Sequence, residues 1–185
     1  KGEQGMKTVS FSSWGGRVID NRKGKPAKAA GNAAIEAPLA IDGRPVTALM
    51  GWNGLVVADP EADLLALSLA YLEEARKLSC GECSVCLIGI DRMLDLLKAR
   101  AAGKGSKADL NEMDAIVRGV AANAKCNFGR QVALTPVGDA LRHFRAQFQD
   151  PSAAGKPAAG KAYRVAVTAP CMAACPASLD IPGYI

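Results

Sequence analysis

Three cysteines stand in the run Ser79-Cys80-Gly81-Glu82-Cys83-Ser84-Val85-Cys86, and a fourth, Cys126, lies well downstream. The spacing C-x2-C-x2-C with a distant partner suits a cubic iron–sulfur cluster, which takes four thiolate ligands. Structural zinc also takes four cysteines, but usually from two separated C-x2-C pairs. Three closely spaced thiols cannot all pair with one another, and a disulfide inside so short a loop is strained. A free cysteine is a good small core residue, yet a loop holding Gly81 and Glu82 makes a poor core. The pattern favours a cluster. A zinc staple and unligated thiols are the alternatives.

Around Cys126, Lys125, Gly129 and Arg130 are placed to offer charge or backbone amides to cluster sulfurs, an influence that raises a cluster's potential. His143 is the chain's only histidine. No nucleophile motif accompanies it, as a catalytic base would require, so packing or a surface hydrogen bond is its expected role. Arg142 and Arg145 read as a solvated or docking face. Near the end, Cys171-Met172-Ala173-Ala174-Cys175-Pro176 has the C-x3-C-P form that closes bacterial cluster runs. Two ligands make only an incomplete second site.

The four central cysteines need elements that bring them together. Asp59-Pro60 reads as a helix start, with Asp as cap and Pro in the first turn. A helix then runs to about Leu78, its apolar residues Leu64, Leu67, Tyr71 and Leu72 at helical spacing. A second helix carries Ile90, Met93, Leu94 and Leu97 to about Ala102, where Gly103-Lys104-Gly105-Ser106 stops it. Asp109 and Glu112 form a D-x-x-E capping signal for a third helix ending before Cys126. Thr135-Pro136 opens a fourth, with Val137, Leu141, Phe144 and Phe148 as its stripe. Cys80, Cys83 and Cys86 then fall between the first two helices and Cys126 between the last two. In an up-and-down bundle those two loops share one end.

Residues 1–59 read as a small β-rich region. Short strands are expected at Lys7–Phe11, Arg17–Ile19, Leu39–Ile41, Val46–Leu49 and Leu55–Val57. Asp42-Gly43 is a hairpin turn signal, and Pro45 marks its second strand as an edge or a late starter. The expected fold is α+β: the β-rich region, a helical cluster domain over 60–150, a linker of Ala, Gly, Pro and Lys over 151–162, and an incomplete second iron–sulfur segment over 163–185.

Of 185 residues, 49% are hydrophobic and 5% aromatic, so the core is built from aliphatic side chains. The net charge of +5 is spread out, with no basic block and few aromatic platforms, which argues against nucleic acid. No apolar run is long enough for a membrane span. No signal peptide is recognisable after Met6. Six cysteines without an export signal point to a cytoplasmic metal protein rather than a disulfide scaffold.

The stretch from Gly51 to Phe148 resembles the C-terminal part of the flavoprotein (51 kDa-type) subunit of respiratory NADH dehydrogenase and its relatives in soluble hydrogenases and formate dehydrogenases. The matching residues are Gly54-Leu55-Val56-Val57, Ser79 through Cys86, Cys126, Pro136-Val137 and Ala140-Leu141-Arg142-His143-Phe144. The resemblance implies a [4Fe–4S] cluster held by Cys80, Cys83, Cys86 and Cys126 that takes electrons from a flavin and passes them on. Val85 and Leu87-Ile88-Gly89 replace the family's usual Pro and Arg-Glu-Gly around the third cysteine. The family's Gly-rich nucleotide loops lie in a large domain this chain does not hold, so FAD or FMN and NAD(P) are expected only on other domains or partners. The tail, Cys171 to Ala177 with Asp180 to Ile185, is similar to the N-terminal iron–sulfur segment of the glutamate synthase small subunit and dihydropyrimidine dehydrogenase. That likeness implies a longer protein continuing into a pyridine-nucleotide oxidoreductase.

The expected function is a non-catalytic electron-transfer module of a larger oxidoreductase. Its expected partners are a flavoprotein and a ferredoxin-like or 2Fe–2S subunit. The alternative is a zinc-bound or metal-free docking module.

Overall fold

A computed structural model describes residues 6–22, 36–38, 40–41, 44–52, 54–150 and 162–166. The fold is α+β. Strands β1 (Met6–Thr8) and β4 (Glu36–Pro38) form a small ladder of their own. The main sheet runs β3 (Arg17–Asp20), β2 (Phe11–Trp14), β7 (Gly54–Val57), β6 (Arg44–Gly51), β5 (Ala40–Ile41), with β8 (Ala162–Ala166) also on β6. Every pairing in that sheet is antiparallel except β8 on β6, which is parallel. Pro45 lies at the second position of β6, opposite Ala40. β6 is thus an interior strand, flanked by β7 on one side and by β5 and β8 on the other, and the proline is tolerated because it sits at the strand's start.

The helices are α1 (Leu64–Leu78), α2 (Ser84–Ala101), α3 (Lys107–Asn123), α4 (Thr135–His143) and a short α5 (Arg145–Gln149). α1 begins later than Asp59-Pro60 suggests. Asp63 is the cap, accepting from the Ala66 amide at 2.9 Å, while Asp59 closes a turn by accepting from the Glu61 amide at 3.0 Å. Its buried residues Leu64, Leu67, Ser68, Tyr71, Leu72 and Ala75 hold the three-and-four spacing of a single face. α3 is capped by Ser106, with Asp109 at the third helical position completing a reciprocal box; the signal read as Asp109/Glu112 is displaced by one turn. The fourth helix is interrupted at Phe144, whose φ of −127° separates α4 from α5.

α1 packs on α2, α2 on α3, α3 on α4, and α4 closes back on α1. β6 and β8 lie against α1, and β7 against α4. Sheet and helices share one core: Phe11, Met50 and Leu55 from the strands join Leu67, Met93 and Leu141. Ser13 in β2 donates a short hydrogen bond to Asp139 in α4, fixing the sheet on the bundle. Among the described residues no helix is long and apolar enough to cross a membrane.

Candidate functional site

The chain turns between α1 and α2 at Ser79–Cys83, and between α3 and α4 at 124–134, so both turns sit at one pole of the bundle. Ser79 ends α1 in an extended conformation, and Gly81 takes a left-handed φ of 78° that folds the loop back. Cys83 is the N-cap of α2. Cys86 therefore stands in that helix's first turn rather than in the loop expected for all three cysteines. After α3, a single π-helical turn spans Phe128–Val132; the Arg130 amide bonds the Cys126 carbonyl at 3.1 Å and the Ala133 amide the Phe128 carbonyl at 2.8 Å. No sequence period announced this turn. Such π turns arise where an extra residue must be accommodated, often at functional sites. The Arg130 side chain folds back to cap α3, donating Nε to the Ala124 carbonyl at 2.6 Å. The Tyr71 hydroxyl of α1 donates to the Val132 carbonyl at 2.8 Å, tying the far end of the π turn to the bundle.

The two cysteine segments meet. Cys83 and Cys86 are buried, while Cys80 and Cys126 are exposed. A Cβ built on Gly129 would stand 3.4 Å from the Cys86 sulfur, so the backbone after Cys126 lies flush against the third cysteine of the run. The amides of Cys86, Lys125 and Val85 face the Cys83 sulfur and hold its thiol below the ordinary value, although none closes a capping hydrogen bond. Lys125 immediately precedes Cys126, so one sulfur is approached by amides from both segments. Burial pushes the Cys86 thiol up, and the charges of Cys126, Cys83 and Cys80 add to that, with the Ser79 hydroxyl opposing. Four thiols thus share one electrostatic neighbourhood. Ionising all four there is unfavourable unless a cationic centre compensates them.

No group of three or more His, Cys, Asp or Glu among the described residues is arranged to hold a metal ion. The donor set is all thiol, as a four-thiolate iron–sulfur cluster takes, and the amides facing Cys83 are donors of the kind that tune cluster sulfurs.

The remaining sequence candidates have other work. His143 stacks on Phe11 with ring centroids 4.8 Å apart, and burial lowers its basicity. Arg145 pairs with Asp114 of α3 at 2.8 Å, so it braces the bundle rather than offering a free docking charge; Arg142 lies 3.5 Å from Asp139. Cys171 and Cys175 lie outside the described residues. Arg100, which by sequence reads with Lys98, Lys104 and Lys107 as a solvated or docking face, is instead buried at 3% exposure and donates to the Phe148, Ser106 and Gln149 carbonyls. Its place on the apolar face of α2, seven residues after Met93, was the available signal.

Residues 66–151 match the family model of the NADH-ubiquinone oxidoreductase-F iron-sulfur binding region. The chain is 36% identical over 183 residues to the NADPH-Fe(3+) oxidoreductase subunit beta of Geobacter sulfurreducens, covering 97% of this chain and 26% of that protein. It is 35% identical over 216 residues to the NADP(+)-dependent formate dehydrogenase subunit beta of Moorella thermoacetica, covering 97% of this chain and 30% of that one. Identity to the mitochondrial NADH dehydrogenase (ubiquinone) flavoprotein 1 of Dictyostelium discoideum is 25% over 101 residues, 55% of this chain and 21% of the relative. The chain therefore spans less than a third of the length of these relatives.

Proposed function

We propose that this chain, whose residues 66–151 match the NADH-ubiquinone oxidoreductase-F iron-sulfur binding region, is an iron–sulfur electron-transfer module in which Cys80, Cys83, Cys86 and Cys126 are the ligands of a [4Fe–4S] cluster. The observation that carries this reading is the seating of the Cys126 segment on Cys86 and Cys83. The cluster, when bound, supplies a one-electron relay. The protein's own residues hold it. Cys83 and Cys86 fix the buried side, amides from both segments lower the cost of negative charge on Cys83, and Cys80 and Cys126 leave the other side open to a partner.

The partner centres in this reading are a flavin and NAD(P) on other domains or subunits of an NAD(P)H-linked oxidoreductase. Support comes from the relatives, whose names carry NADPH, NADP(+) and NADH, and of which this chain spans a minor part. Alignment with two of them covers 97% of the chain, so it takes in the tail as well. That supports reading Cys171 and Cys175 as part of a second cluster's ligand set, completed elsewhere. Exposed thiol ligands suit a reducing compartment, and we place the protein in the cytoplasm.

The test is anaerobic purification with iron and sulfide analysis. The expected result is a brown protein with about four irons and four sulfides from the first site. Cys126→Ser should strip most of that iron while helical circular dichroism persists. A colourless protein that takes up zinc in its place, or a Cys126→Ser variant with full iron and sulfide, overturns the ligand assignment.

A further inference from the structure

Gly129 lies in the π turn three residues after Cys126, and its surroundings leave no room for a side chain. A Cβ there would stand 2.5 Å from the Ala124 Cβ, 3.4 Å from the Cys86 sulfur and 3.5 Å from the Cys86 Cβ. Ala124 is fully buried at the end of α3, and Cys86 is buried in the first turn of α2, so neither is the free end of a flexible side chain. Contacts under 3.0 Å require backbone to move. The segment between Ala124 and Gly129, which carries Cys126, must take up that movement. Arg130 anchors that segment to Ala124, and Lys125 and Cys126 are otherwise exposed.

Resting on the ligand reading above, we infer that Gly129 is the positioning residue of the distal ligand: its missing side chain lets the π turn close against Ala124, and so sets where Cys126, which lies between the two, meets the cluster. Three of the ligands come from one continuous loop and helix start. The fourth depends on how closely a separate segment approaches. The depth of that approach is governed at Gly129. A methyl group there displaces the segment outward and loosens the bond at Cys126 first, leaving the iron at that corner least protected.

The experiment uses the full chain, loaded anaerobically. Gly129→Ala should keep the helical circular dichroism of the parent but release iron to a chelator about tenfold faster or more, the scale seen when groups orienting metal ligands are disturbed. Its cluster potential, measured by redox titration, should also move. Adding Ala124→Gly to Gly129→Ala removes the 2.5 Å contact and should bring iron retention and potential back towards the parent. If Gly129→Ala alone does not fold, recovery of a cluster-bearing protein in the double variant supports the inference. Failure of both to fold overturns it in favour of a purely structural glycine. Iron release and potential equal to the parent in Gly129→Ala, or a double variant as leaky as the single, also overturns it. A parent chain without iron and sulfide, by contrast, sinks the ligand reading itself.

Discussion

The bundle closes its two ends by different means. At the end where α2 finishes, the Arg100 guanidinium sits at 3% exposure and is saturated by protein: the Phe148, Ser106 and Gln149 carbonyls accept from it, and Asp109 lies 3.9 Å away. α2 spans 18 residues, which at the helical rise separates that end from the cysteines by about 25 Å. At the cysteine end, Cys83 has amides facing it but Cys80 and Cys126 stand exposed. One end is complete as a polypeptide. The other leaves two thiols exposed, as the proposed cluster site requires.

If the ends are independent, damage at the Arg100 end lowers stability without emptying the cysteine site. Arg100→Ala orphans three carbonyls and leaves a void, and should lower unfolding free energy by about 3 kcal/mol or more. Iron content per folded chain should stay at the parental value. A variant that loses iron in proportion to stability shows that the two ends are coupled. Tyr71→Phe tests the tie between α1 and the π turn. It deletes one buried hydrogen bond, for an expected loss of about 1–2 kcal/mol. The amide of Ala133, which closes the π turn, should then exchange with solvent faster, while amides near Arg100 do not. The smallest effect belongs to the sheet. Asp20 is held down to about 2, first by the hydrogen bond from Arg22. A carboxylate depressed in the folded state contributes stability above its unfolded value of 3.8, and that contribution fades as pH falls towards 2. Asp20→Asn should therefore cost under about 1 kcal/mol at neutral pH and nothing well below pH 2, as read from denaturant midpoints against pH.

The cysteine end was the more legible of the two because its information is local. Three of the proposed ligands lie within seven residues, Cys80 to Cys86, and the helices flanking them carry apolar stripes. What the stripes did not reveal is where each helix begins. Asp59-Pro60 and Asp63 are both acceptable caps, and the choice falls to Asp63 because Gln147, remote in sequence, meets the Leu64 amide at 3.1 Å. The same applies to Ser106, whose box with Asp109 uses an aspartate where glutamate is the usual signal. The π turn, and the close packing that Gly129 permits in it, were invisible for a different reason. Their role is to be small against Cys86 and Ala124, and absence of bulk leaves no periodic trace. Arg100 reads as surface by residue type, and two of the three carbonyls that hold it inside, those of Phe148 and Gln149, come from distant positions.

The lone parallel pairing in the main sheet, β8 on β6, has a mechanical consequence. The bundle's last helix, α5, packs on α1 and α3, and its Gln147 meets the α1 start, far from the cysteines. β8 then runs in the direction of β6 and finishes with Ala166 beside Gly51. β8 therefore docks the chain back on the sheet at the β6–β7 turn, a pairing between residues more than a hundred positions apart whose loop-closure cost the strand's hydrogen bonds must offset.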